Sequence, residues 1–118
     1  MTGAVVDAGL KVHRALGPGL LESIYEECLA RELAKRSIGV RRQVTVPLFY
    51  DGERLRVDLR LDLLVEESVI VEIKAVEALS RLHQAQLLTY LRCTGLRCGL
   101  LLNFNTELFK DGIKRLVL

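Results

Sequence analysis

Asp62, Glu72 and Lys74 are the residues of this chain whose types and spacing could do chemistry. Glu72 and Lys74 stand inside VIVEIKA (69–75), a run that otherwise reads as a buried strand. Side chains alternate along a strand, so the carboxylate and the ammonium point to one face. Burying such charges is costly unless they are paired or bind an ion. If Glu66-Glu67-Ser68 is a three-residue hairpin loop, Val65 faces Val69, and the same register sets Asp62 opposite Glu72. Their Cβ atoms would then be about 5 Å apart, and like charges facing each other destabilise a sheet. A hard divalent cation offsets that repulsion, and carboxylate oxygens are natural ligands of Mg²⁺ or Mn²⁺. With Lys74 at the same pocket, the group could stabilise a hydroxide and a charged phosphoryl transition state. The plainer reading is a solvated face carrying a weak ion pair, worth about 0–1 kcal/mol.

The elements that must position these residues follow from local pattern. Residues 4–16 read as a short helix, and LGPGL (16–20) forces a turn. A longer helix follows over 20–36, with Leu21, Ile24, Tyr25, Cys28 and Leu29 as its core-facing stripe. QVTVPLFY (43–50) reads as a strand that Pro47 confines to an edge or a bulge. Asp51-Gly52 is a hairpin signal. Over 55–65, Leu55, Val57, Leu59, Leu61 and Leu63 alternate with Arg56, Asp58, Arg60 and Asp62. Helical spacing returns over 78–93, where Leu79, Leu82, Gln86 and Tyr90 share a stripe, and Gln86 is polar where an apolar side chain would pack. GLRCGLLLNF gives a buried strand over 97–104, and IKRLVL (113–118) a short edge strand. Three consecutive strands, a helical crossover and a further strand imply an α/β (α+β) mixed sheet with helices packed on it.

Length and composition narrow the class. At 118 residues, half of them apolar, the chain is expected to form one domain, 1–118, with a core of its own. Its 17 basic and 15 acidic residues leave a net charge of +2, without the footprint of a strong nucleic-acid binder. Brief contact with nucleic acid remains compatible with that balance. Three cysteines, without a metal-type cluster with His13 and His83, fit a reducing cytoplasm. No run reaches the roughly 18 apolar residues of a membrane helix, so a soluble, cytoplasmic chain is expected. His13 reads as a helix-surface residue and His83 as a helix-packing one. Gly17-Pro18-Gly19 is too short, and lacks the lysine, to cradle phosphate.

Asp62, Glu72-Ile73-Lys74 and Gln86-Leu87-Leu88-Thr89-Tyr90 together resemble the PD-(D/E)XK nuclease superfamily, in the branch with a Q-x-x-x-Y helix motif. Gly19-Leu20-Leu21-Glu22-Ser23-Ile24-Tyr25 resembles the motif that names the GxxExxY protein family, and the likeness covers nearly the whole chain. One departure is Leu61, where many superfamily members have proline before the aspartate. The resemblance implies a restriction-endonuclease-like core, helix–three strands–helix–strand. It implies that Asp62 and Glu72 bind the metal with the backbone carbonyl of Ile73, and that Glu22 adds a further carboxylate beside it. Lys74 would orient or activate the attacking water. Gln86 and Tyr90 would support the site or touch the nucleic-acid backbone, with Tyr25 a supporting residue. From the residues alone, Glu22 lies about 60° around its helix from Tyr25, at the border of the apolar stripe.

The function expected is metal-dependent hydrolysis of phosphodiester bonds in DNA or RNA, on transient contact. The alternative is a non-catalytic nuclease-fold module that binds nucleic acid or a protein partner. A purely structural dimerisation domain would leave the carboxylate pair unexplained. Arg56 and Arg60 are placed either to grip phosphate or to pair with Asp58 and Glu53 in solvent. One active site must act twice to cut a duplex, which gives a homo-oligomer a purpose.

Overall fold

The computed structural model describes all 118 residues. Helix α1 (Thr2–Leu16) and helix α2 (Glu22–Lys35) lead into β1 (Val40–Val46). Pro47 has no amide to continue the ladder, and the chain leaves the sheet there as a separate ribbon, β2 (Phe49–Tyr50) and β3 (Glu53–Arg54). Asp51 and Gly52, both at positive φ, make its turn. The chain returns as β4 (Leu59–Val65) and turns at 66–68 into β5 (Val69–Lys74). It crosses through α3 (Arg81–Thr94) to β6 (Cys98–Asn103), and ends with a 3₁₀ turn (Phe109–Gly112) and β7 (Ile113–Val117).

The five-stranded mixed sheet runs β1-β4-β5-β6-β7, with only β5 and β6 parallel. On one face α1 and α2 cover Leu63, Val65, Val69, Val71, Ile73, Leu100 and Leu102. On the other, Leu87 and Leu91 of α3 pack on Leu61, Leu64, Ile70 and Leu101. Strand β5 lies in the middle and is covered on both faces, which is why VIVEIK is so apolar. The expected register holds for the three pairs next to the turn, Val65 with Val69, Leu64 with Ile70 and Leu63 with Val71, and the ladder stops there, short of the expected Asp62–Glu72 pair. An ion-pair chain, Lys11–Glu32–Arg36–Asp7, ties α1 to α2.

Several expectations are corrected by packing. The buried stripe of α2 is Tyr25, Leu29 and Leu33, flanked by Glu26 and Ala30, whereas Leu21 and Ile24 are exposed. The buried stripe of α3 is Leu87 and Leu91. Leu82 is 77% exposed, and Gln86 and Tyr90 lie at the stripe's edge. His13 is buried, its Nε2 2.7 Å from the Thr106 carbonyl, because α1 packs against the 104–109 segment. His83 instead forms a reciprocal cap with Ser80 at the start of α3.

The alternation expected over 55–65 fails at one place that matters. Leu59 and Leu61 pack with α3, but Leu63 and Val65 pack with α1 and α2. The neighbouring strand switches in step, since Val44 and Val46 join the α3 side and Val40 the other. The switch falls where Gln43 lies opposite Asp62. Pairing skips that position, and Gln43 has left-handed backbone, φ 51°. A local break of this kind flips every residue beyond it to the other face.

Candidate active site

The break between β1 and β4 releases Asp62 from the ladder, and β4–β5 pairing also stops just before Glu72. Two side chains close the gap. The Asp62 N–H donates to Glu72 Oε2 at 2.9 Å, and the Ile73 N–H donates to Asp62 Oδ2 at 2.8 Å. Each carboxylate thus satisfies an amide that the sheet has left free. Its second oxygen has no hydrogen-bond partner among the protein's own groups, and no lysine or arginine forms an ion pair with either residue. The N–H and C=O of one strand residue leave on the same edge, so the Ile73 carbonyl faces the same gap.

The electrostatics follow from this enclosure. Glu72 is 4% exposed. Burial, then the charge of Asp62, push its carboxyl up to about 8. Burial also raises Asp62, opposed by the hydrogen bond from Ile73. Lys74 is half-buried, and its charge draws both carboxyls down. No ion pair or hydrogen bond holds its amino group. Tyr90 of α3 borders the pair: burial, then Glu72 and Asp62, raise its phenol, while the nearby side chain of the exposed Gln86 lowers it.

Helix α2 closes the other side. The Ala75 N–H donates to Glu22 Oε2 at 3.3 Å, which fixes Glu22 at the end of β5. Asp62, Glu72 and Glu22 do not form a group of three acidic side chains close enough to share one ion. The expected extra carboxylate therefore stands at the rim of the site. Tyr25 has a scaffolding position. It is fully buried and stacked on Phe104 at 4.6 Å, and its hydroxyl donates to the Gly17 carbonyl at 2.6 Å and accepts the Leu20 N–H at 3.0 Å. It latches the loop that carries Gly19, at φ 100°, into Glu22. Arg60 is exposed and has no ion-pair partner, and the break at Asp62 removes the basis for placing the two on one face. Arg54, not Arg56 or Arg60, pairs with Asp58, at 3.3 Å.

Glu26 and Asn103 belong to this region and were not singled out by sequence. Glu26 is 6% exposed, held by Arg42 Nε at 3.1 Å and Gln43 Nε2 at 2.7 Å, and its charge raises both Asp62 and Glu72. Its four-residue spacing from Glu22 on one helix face was the available signal. Asn103 bonds both the N–H and the carbonyl of Val76, pinning the chain just after Lys74.

Two carboxylate oxygens without a hydrogen-bond or ion-pair partner, the one on Glu72 becoming anionic as its proton leaves, suit a hard divalent cation. With only two carboxylates, that cation would keep several waters, as Mg²⁺ usually does. None of the three surface cavities is lined by Asp62, Glu72 or Lys74; the largest, about 520 Å³, lies between α1 and the 107–110 segment.

No helix is long and apolar enough to cross a membrane. No curated protein and no solved structure matches the chain. The family model of the PD-(D/E)XK nuclease superfamily matches residues 1–116. The mixed sheet flanked by helices is the restriction-endonuclease-like architecture, and the chain belongs to the PD-(D/E)XK nuclease superfamily.

Proposed function

We propose that the protein hydrolyses phosphodiester bonds of nucleic acid with a divalent metal ion at Asp62 and Glu72. The observation that carries this reading is the reciprocal bonding of the two carboxylates. It fixes one oxygen of each to a backbone amide and leaves the other free as a metal donor. Membership of the superfamily supports a nuclease-type function in general. Within it, the Gly19–Tyr25 motif supports a place among the GxxExxY proteins.

Asp62, Glu72 and the Ile73 carbonyl would hold Mg²⁺ or Mn²⁺. When bound, the ion supplies Lewis-acid stabilisation of charge developing on the phosphoryl group. Lys74, free of other partners, orients the attacking water and places a positive charge beside the phosphate oxygens. Glu22 accepts hydrogen bonds from water at the rim, and Tyr90 with Gln86 presents polar groups to the substrate backbone. Self-association into a homo-oligomer would give duplex cleavage a second site.

The test is cleavage of DNA and RNA with Mg²⁺ or Mn²⁺. Lys74→Ala should lower the rate at least about a hundredfold while leaving the fold intact. Cleavage that survives in both Lys74→Ala and Asp62→Ala would favour the non-catalytic binding module instead.

A further inference from the structure

The chain has three tyrosines and three phenylalanines. Tyr25, Phe104 and Phe109 are buried and Tyr90 is half-buried. The remaining two, Phe49 and Tyr50, are consecutive in β2 and so take opposite faces of the β2–β3 ribbon, at 62% and 71% exposure. All four strand residues of that ribbon are exposed, so its aromatics contribute nothing to the core. A lone two-stranded hairpin is marginal in water, and rings this exposed gain little from burial. Their exposure calls for a ligand with flat apolar faces.

The ribbon's place in the fold names that ligand. It rises between Val46 and Leu59, which pair at one end of the sheet. Strands β4 and β5 run antiparallel, so the start of β4 at Leu59 lies toward the end of β5, where the Ala75 N–H holds Glu22. The arm therefore springs from the same end as Lys74 and Glu22. Along β4, Leu59 is about 10 Å from Asp62. Residues 41–60 carry five arginines and three carboxylates, an excess equal to the whole chain's net charge of +2. Arg41, Arg42 and Arg54 have carboxylate partners. Arg56 and Arg60, at the base of the arm, have none.

Exposed rings beside unpaired guanidinium groups match the chemistry of unpaired nucleic acid. Bases stack on aromatic faces, and phosphates take up the cations. We infer that the β2–β3 arm is a stacking element, with Phe49 on one face and Tyr50 on the other each taking an unpaired base while Arg56 and Arg60 take the backbone, leading a single-stranded segment to Asp62 and Glu72. This rests on the nuclease reading above and adds the form of the substrate to it.

The chain contains no tryptophan, so Phe49→Trp installs a single fluorescent reporter on the arm. A short mixed-sequence oligonucleotide, its duplex and an abasic chain of equal length are titrated in Ca²⁺, which replaces Mg²⁺. The single strand should quench the indole by stacking, the duplex much less and the abasic chain not at all. In the Phe49→Ala, Tyr50→Ala double variant, affinity for the single strand should fall about fivefold or more per ring, with no change toward the abasic chain. An unchanged melting temperature of each variant shows that the fold persists. Equal binding of abasic and normal strands, preference for the duplex, or no binding of nucleic acid overturns the proposal. Cleavage that needs Lys74 but ignores the arm variants overturns the arm alone. Stacking without metal-dependent cleavage leaves the arm and overturns the catalytic reading.

Discussion

Asp62 and Glu72 each hold the backbone of the other's strand: the Asp62 amide donates to Glu72 Oε2, and the amide after Glu72 donates to Asp62 Oδ2. Two acidic side chains that repel one another are kept together by the main chain. The strands separate at this point and the charges remain between them. Repulsion and burial are stored in the metal-free protein, and a cation relieves both.

The pH dependence of stability follows from Glu72. Its carboxyl rises from 4.5 to about 8 on folding. Between those values the folded protein holds a proton that the unfolded chain has lost. Stability of the metal-free protein therefore falls as pH rises from about 4.5 to about 8, and its full contribution is present only below the unfolded value. Glu72→Gln should flatten this slope and be the more stable protein near pH 8, because the amide oxygen still accepts the Asp62 N–H. Denaturant midpoints across this range, with chelator, check it. A slope that persists in Glu72→Gln would assign the titration to another group.

Glu26 acts on the same equilibrium from behind. Its charge raises Asp62 and Glu72 without touching either. Metal uptake displaces protons from its ligands, so it improves as those ligands ionise. Glu26→Gln should move the pH midpoint of Mn²⁺ binding downward. Arg42, partly exposed, is left free to turn to solvent. A change in melting temperature with an unmoved binding midpoint would mean that Glu26 only braces the strand.

Tyr25 links the Gly19–Tyr25 motif to the site mechanically. Tyr25→Phe removes the bond to the Gly17 carbonyl and leaves the Leu20 N–H without its acceptor. A loss of about 1–3 kcal/mol is expected, a drop of several degrees in melting temperature. An unchanged melting temperature would show that water replaces the latch at no cost.

Much of the fold was legible because it follows local rules. The Asp51-Gly52 turn, the 66–68 loop and the double-sided burial of VIVEIK are each set by a few adjacent residues. The nearness of Asp62 and Glu72 was legible only in part: the register counts outward from its turn as far as Leu63 and Val71, and the carboxylate-to-amide bonds that close the gap beyond it were not. The switch of faces at Asp62 was not. It depends on Gln43 taking a left-handed backbone some twenty residues away, and strict alternation of Leu and charge over 55–65 masks it. Glu26 was hidden because a glutamate on a helix normally lies in solvent, and only the approach of Arg42 and Gln43 buries it. The exposure of Leu82 was missed because helical spacing identifies a stripe but not how far the sheet extends beneath it.

The most direct measurement is the thermal melt of the native protein and of Asp62→Asn, each with chelator and with Mn²⁺. Without metal, and above about pH 8 where Glu72 as well as Asp62 is ionised, Asp62→Asn should be as stable as the native protein or slightly more so. It loses a repulsion of about 0.2–1 kcal/mol and keeps an acceptor for the Ile73 amide. At ten times its dissociation constant, Mn²⁺ should stabilise the native protein by about 1.4 kcal/mol, and so raise its melting temperature by several degrees. Asp62→Asn, short of one charged donor, should shift far less. Equal shifts in the two proteins, or none in the native one, would contradict a metal site built on Asp62 and Glu72.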